Sequence, residues 1–329
     1  MRPQVVITDL IHDSLEPERA VLRGLAELEA LNAHTEEELI GRIEEADVVL
    51  LYHTIVMSRR SIEQLARCRL IVRCGVGFDN VDHAFARQRG IPVANVPDYG
   101  TEEVADSAIA LMLALTRGVG VLNSSMRTGR EPWTYTKAAP LQRLRGRVFG
   151  IVGLGRIGTA AALRAKAFGM DVAYFDPYKP DGYDKAVGVR RVDDFTQLLE
   201  QSHVLSLHCP LADDTKHMIN AQTLQRMPAG SYLINTARGP VVDTSHIPCA
   251  IESGKLAGAG FDVLEQEPPP TNDPLIAAWR DPRHPAHDRV LITPHAAFYS
   301  EQGLLDLRIK GAEACRRVLQ GEPLRNVVN

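Results

Sequence analysis

The run Gly153-Leu154-Gly155-Arg156-Ile157-Gly158 has the spacing of a turn that holds a pyrophosphate. Each glycine has a mechanical task. The first permits the tight turn, the second lets phosphates approach the backbone, and the third lets helix and strand pack closely. A tight turn with no ligand also uses glycine, so context decides. Val148–Val152 reads as a strand before the turn, and an alanine-rich helix runs from Gly155 to about Phe168. Asp176 stands at the end of the next strand, Asp171–Phe175, where a carboxylate accepts hydrogen bonds from the adenine ribose. The expectation is a dinucleotide, with Gly153, Gly155, Arg156, Ile157, Gly158 and Asp176 in contact with it. The charge of Asp176, followed by Pro177 rather than arginine, would repel a 2′-phosphate and favours NAD.

Hydride transfer to a carbonyl needs a donor that orients the substrate, an acid that protonates the new alkoxide, and a group that tunes that acid. Arg238, Glu267 and His295 offer these residue types. Each follows a short apolar run, and ligands of open α/β sheets bind beyond the carboxyl ends of strands. Taken singly, an arginine is most often a solvated charge and a histidine a surface or core residue.

Short apolar runs separated by helical stretches position these residues. Val5–Leu10, Ala46–Leu51, Leu70–Cys74 and Pro92–Asn95 read as strands in the first part, with Glu36–Glu45 helix-like. Glu102–Leu115 has apolar positions at helical spacing. After Asp171–Phe175 come strand candidates Val204–Leu207, Tyr232–Asn235, Gly260–Val263 and Val290–Thr293, with helices such as Ala221–Met227, His246–Ser253 and a last one at Leu304–Leu319. Strand–helix alternation predicts an α/β chain with two doubly wound, Rossmann-like parallel sheets. Arg117–Arg147 and the proline-rich Pro268–Asp288 read as irregular connections.

Bulk composition excludes other classes. The 329 residues suit two domains. Charged residues make up 24% with a net charge of −4, which gives no reason to expect nucleic acid or an anionic membrane as partner. The N-terminus lacks the apolar stretch of a signal peptide, and no apolar run reaches the ~20 residues that span a bilayer. The five cysteines contain no CxxC pair, so neither a metal site nor a disulfide framework is expected, and a cytoplasmic location is.

With these residues in view, the chain resembles the D-isomer-specific 2-hydroxyacid dehydrogenase family over nearly its whole length. The likeness rests on Arg73–Asp82, Asn95–Pro97 with Glu102–Ala105, the glycine turn with Asp176, Leu207–Leu211, Asn235–Asp243, Asp262–Pro268 and Pro294–Ala297, in the family's order. Ala162–Gly169, Phe175–Tyr178 and Pro294–Gln302 are most similar to the carboxy-terminal binding protein branch. That branch's animal members carry tryptophan where this chain has Phe298, so their substrate preference does not transfer.

The resemblance implies a substrate domain of 1–101 plus 295–329, an inserted NAD domain of 102–294, and an active site in the cleft between them. It implies that Arg238 pairs with the substrate carboxylate, that His295 is the acid–base group, and that Glu267 hydrogen-bonds His295. It implies that the Val76 and Gly77 amides hold the substrate carboxylate, with Phe298 near the substrate, and that Thr101, Cys209, Pro210, Thr236 and Asp262 line the cofactor. Packing alone explains Cys209 almost as well. It further implies a homodimer through the NAD domain, for which Arg117–Arg147, with Trp133 and Tyr135, is the candidate contact. Two functions follow: an NAD(H)-dependent oxidoreductase of a small D-2-hydroxy or 2-keto acid, or an NAD-sensing, co-repressor-like binding protein.

Overall fold

Continuous apolar runs, rather than alternating ones, form the central strands, because both faces of each sheet are covered. The computed structural model describes residues 2–129 and 132–329. It divides into two units, Met1–Gly100 with Tyr299–Asn329, and Thr101–Phe298. Thr101 and residues 295–298 thus fall in the second unit rather than the first.

In the first unit, β1 (Gln4–Ile7), β2 (Glu27–Ala30), β3 (Val48–Leu51), β4 (Leu70–Arg73) and β5 (Val93–Asn95) form a parallel sheet of order β2-β1-β3-β4-β5. The edge strand β2 is an addition to the sequence reading. Its Glu-Leu-Glu-Ala alternation leaves no residue fully buried, so no apolar run marks it. The helix expected over Glu36–Glu45 is absent but for one 3₁₀ turn, Glu37–Leu39. Its acidic side chains bond loop backbone instead: Glu36 accepts from Ser58 N at 2.7 Å, Glu38 from His34 N at 3.0 Å and Glu44 from Gly41 N at 2.6 Å. Such local bonds compete with a helix.

The helix Glu301–Gln320 packs into this unit, burying Leu307, Ala312 and Cys315 beside Val5, Leu50 and Val72. Gly311 permits the close approach, since a Cβ there would meet Cys74 Sγ at 2.9 Å. Arg308 clamps it to the helix Glu16–Leu22, donating to Glu18 Oε1 and Oε2 at 2.7 Å each and to Asp13 Oδ2 at 2.6 Å. Glu18 is fully buried. The final residues extend the sheet: Val328 N donates to Val93 O at 2.8 Å, and Asn95 N to Asn326 O at 3.1 Å.

The second unit carries β6 (Val148–Val152), β7 (Asp171–Phe175), β8 (Arg190–Arg191), β9 (Val204–Leu207), β10 (Ser231–Asn235), β11 (Leu256–Phe261) and β12 (Val290–Ile292). All pairs are parallel, in the order β12-β11-β10-β9-β6-β7-β8. The chain leaves β6 toward β7 and β8, then returns to β9 on its other side. Strand order therefore reverses between β6 and β9, the place where such sheets open a crevice for ligands. Successive residues feed opposite faces: Ile151 and Ile234 join the core with Ala108 and Met112, whereas Val152 and Leu233 join that with Leu198 and Ile251.

Two connections are more ordered than their composition suggests. Pro268–Asp288 contains helices Pro274–Arg280 and Ala286–Arg289. Asp273 caps the first by accepting from Ile276 N at 3.0 Å, with Pro274 at the helix start and Leu275, Ile276 and Ala278 buried. Arg117–Arg147 contains the helix Val119–Thr128. Among the described residues no single helix is long and apolar enough to cross a membrane; only the bent pair Thr101–Thr116 and Val119–Thr128 passes that test together.

Removing one partner of a buried ion pair strands the other charge, at a cost of about 3–5 kcal/mol. Arg308→Met is expected to lose stability on that scale, read from urea denaturation midpoints. Adding Glu18→Leu should restore most of it. Equal midpoints for wild type and Arg308→Met would show that the clamp contributes nothing.

Candidate active site

The turn between β6 and the helix Arg156–Ala167 is shaped by what cannot fit. Gly153 has φ +88°, and a Cβ on it would meet Cys209 N at 2.8 Å. A Cβ on Gly158 would overlap the Gly153 carbonyl oxygen, whereas a Cβ on Gly155 would meet nothing within 4 Å. Two glycines are therefore demanded by packing, and the third faces open space. The helix N-terminus there has no side-chain cap. The first amides of a helix lack intrahelical acceptors and, with the helix dipole, suit phosphate. Arg156 is exposed at the first helical position, with Ile157 half-buried beside it.

Asp176 follows β7 and braces the turn. Its Oδ2 accepts from Leu154 N at 2.9 Å and its Oδ1 from Tyr178 N at 3.0 Å. Each carboxylate oxygen retains further acceptor capacity for a ribose hydroxyl. Beyond β9 and β10, His208 Nδ1 and Thr236 Oγ1 are buried with no hydrogen-bond partner. His208 Nε2 lies 2.9 Å from Ser206 Oγ, and burial pushes the imidazole down to about 4, so it is neutral. Unsatisfied buried polar atoms are costly, and two of them past the ends of neighbouring strands fit a polar ligand. Cys209 is different. Its thiol faces Met218 Sδ at 3.9 Å, and burial raises it to about 12. Its backbone closes on Gly153, which is a packing role. The Pro210 carbonyl accepts from Thr215 Oγ1 at 2.7 Å.

Arg238, Glu267 and His295 follow β10, β11 and β12 in turn. Asn235 folds the first loop, with Oδ1 accepting from Ala237 N at 3.0 Å and Nδ2 donating to Arg238 O at 2.9 Å. Arg238 Nη1 donates to Ala237 O at 2.8 Å. Gly239 lets the next loop lie against this one, because a Cβ there would overlap the Leu264 carbonyl. Leu264 N in turn donates to Glu267 Oε1 at 2.8 Å. Glu267 Oε2 lies 2.7 Å from His295 Nδ1. Burial pushes the Glu267 carboxyl up, but the His295 hydrogen bond, the His295 and Arg238 charges and the Leu264 amide together hold it below 4.5. The Phe298 ring stands edge-on to His295, with centroids 6.4 Å apart.

Asp262, expected to line the cofactor, has a second task. Its Oδ1 accepts from Thr293 Oγ1 at 2.6 Å and Ala296 N at 2.9 Å, and its Oδ2 from Ala297 N at 3.0 Å. Its carbonyl takes His295 N at 2.7 Å. Asn235, Thr293, Leu264 and His208 are positioning or lining groups that sequence reasoning did not single out. Their only signal was a place inside the motif blocks or, for Thr293, at the end of a strand candidate, because what they do depends on neighbouring strands.

Val76 and Gly77 lie in the first unit, in the loop after β4. Among the described residues their amides donate no hydrogen bond. Arg73 braces that loop, donating to Cys74 O and Asn80 Oδ1 at 3.1 Å each. Thr101 opens the helix Thr101–Thr116 in the second unit.

The model of the D-isomer specific 2-hydroxyacid dehydrogenase NAD-binding domain matches residues 109–297. The chain belongs to that family. The chain is 34% identical to D-3-phosphoglycerate dehydrogenase of Methanocaldococcus jannaschii over 99% of its own length and 59% of the relative's. It is 31% identical to C-terminal-binding protein 1 of Caenorhabditis elegans over 97% of its length and 44% of the relative's. It therefore spans about half the length of these curated relatives. Among solved structures, D-lactate dehydrogenase of Aquifex aeolicus, complexed with NAD and lactic acid, superposes with a TM-score of 0.84 at 28% identity, over 97% of this chain and 96% of that one. The matched domain binds NAD, and the open Gly155, the Asp176 carboxylate and the buried His208 Nδ1 and Thr236 Oγ1 atoms fit that cofactor.

A group whose acidity is strengthened by folding contributes stability above its ordinary titration range, lost as pH falls through the depressed value. Glu267 is such a group. Wild type is expected to lose melting temperature more steeply below about pH 4.5 than Glu267→Gln does. Parallel acid limbs for the two proteins would show that the Glu267–His295 pair does not bind preferentially in its ionised form.

Proposed function

We propose that the chain carries out reversible hydride transfer between NAD(H) and a small 2-keto or 2-hydroxy acid of D configuration. The observation that carries this reading is the 2.7 Å contact of His295 Nδ1 with Glu267 Oε2, on a loop packed through Gly239 against the Arg238 turn. Bound NAD(H) supplies or takes the hydride. The guanidinium of Arg238 matches a carboxylate in two-point geometry and orients the acid. With Nδ1 committed to Glu267, His295 Nε2 gives the proton to the alkoxide in reduction and takes it back in oxidation. Glu267 fixes the ring tautomer and stabilises the imidazolium. The D configuration is supported by the family's specificity and by the D-lactate dehydrogenase likeness.

His295→Gln removes proton transfer and leaves the glycine turn untouched. Turnover of a responsive 2-keto acid is expected to fall about 10²-fold or more, with NADH affinity, read by nicotinamide fluorescence, unchanged. Unaltered turnover would sink the assignment. The competing reading, cofactor-controlled protein binding, draws on the C-terminal-binding protein likeness. It would be favoured if no 2-keto acid across a broad panel were reduced.

We also propose a homodimer through the second unit. Val119, Trp133 and Tyr135 are exposed, Trp133 to 92%. A groove of about 920 Å³ beside them is lined by Leu113, Tyr135, Leu141, Leu144 and Phe168. Apolar patches of this kind mark association surfaces. Trp133→Glu is expected to shift the sedimenting species from dimer to monomer without loss of helicity. A monomeric wild type would overturn the proposal. The five free cysteines, three of them buried, support a reducing cytoplasmic setting.

A further inference from the structure

Two carboxylates, not one, bond to Tyr178 beside the dinucleotide turn. Asp176 follows β7 and braces the turn through Leu154 N. Asp214 comes from a different loop, the one that follows β9 on the far side of β6. Tyr178 ties the two loops together. Its backbone amide donates to Asp176 Oδ1 at 3.0 Å, and its hydroxyl donates to Asp214 Oδ2 at 3.2 Å. Both carboxylates act on the same groups. The charge and hydrogen bond of Asp214, and more weakly the charge of Asp176, push the Tyr178 phenol up. Burial first, then the Asp214 and Asp176 charges, raise the Cys209 thiol.

Arg191 reaches the first of these loops but donates to the Lys179 carbonyl and to Asp181, each at 3.2 Å. In the loop from Asp176 to Gly182 the basic residue is Lys179. Its ammonium lies 4.8 Å over the Tyr183 ring, on the face of an aromatic rather than on either acid. A 2′-phosphate entering this end would meet two negative charges from two loops.

We propose that Asp214 is a second determinant of cofactor choice, acting through its charge to reject the 2′-phosphate of NADP(H) while contributing little to NAD(H) binding. This rests on the assignment of NAD to the glycine turn. Asp214 is exposed, so its effect is electrostatic, modest and screened by salt, unlike the hydrogen bonding expected of Asp176. Tyr178 gives the acid one exposed hydrogen bond, does not determine its charge, and carries none of its own at neutral pH.

The test measures NADH and NADPH dissociation constants by nicotinamide fluorescence, so it needs no substrate. Asp214→Asn is expected to tighten NADPH by roughly threefold to tenfold in low salt, the scale of an exposed charge acting on a phosphate near two charges, with NADH unchanged. The gain should vanish near 1 M salt, where screening acts within about 3 Å. Tyr178→Phe keeps both carboxylates and is expected to leave the preference in place. NADPH affinity unchanged in Asp214→Asn overturns the proposal, as does a gain that salt does not erase or one that Tyr178→Phe reproduces. A wild type that binds NADPH as tightly as NADH, or neither, overturns the NAD assignment itself. That outcome is distinct from a wild type that prefers NADH and an Asp214→Asn variant that changes nothing.

Discussion

The arrangement beyond the sheet of the second unit depends on one buried carboxylate. Asp262 is 2% exposed, and a charge so placed must be hydrogen-bonded. Its donors come from the Thr293 hydroxyl and the Ala296 and Ala297 amides, which are the residues on either side of Pro294 and His295. With its own carbonyl accepting from His295 N, Asp262 holds that loop in a single conformation. His295 sits at φ +51°, a left-handed backbone that costs a residue with a Cβ something to adopt. The satisfied carboxylate offsets that cost, and the imidazole gains a fixed direction toward Glu267.

The other loops are then drawn together by exclusion. Gly239 leaves no room between itself and Leu264, and Gly153 leaves none against Cys209. Both contacts join loops that follow different strands. The pairing of β6 with β9 and of β10 with β11 sets these loop ends side by side, and the glycines remove the side chains that would hold them apart. Electrostatics follows the same geometry. His208, buried and neutral, sits one residue from the Cys209 backbone that closes on the turn.

Much of this was legible in the sequence, for reasons that differ by residue. The glycine turn was readable because its steric demands can be met by only one residue type. The strands β6, β7, β9 and β10 were readable because burial on both faces writes an unbroken apolar run. Arg238, Glu267 and His295 were legible as types after strands, while their mutual contacts rest on a bond between loops and leave no local trace. Asp262 was expected at the cofactor only through the family resemblance; the donors that occupy it lie more than thirty positions away. The edge strand β2 was missed because half its side chains meet water. The helix at Pro274–Arg280 was missed because prolines were counted as breakers, although one at a helix start favours it.

The Arg308 clamp has a consequence for how the protein comes into being. The first unit takes its closing helix and the Asn326 and Val328 sheet contacts from residues 299–329, so on a ribosome its N-terminal portion waits until those residues have emerged. Glu18 spends that interval without the guanidinium that pairs with it in the finished fold. The second unit emerges whole in the meantime and can fold on its own schedule. A chain interrupted before the helix Glu301–Gln320 therefore carries a whole second unit and an unfinished first one.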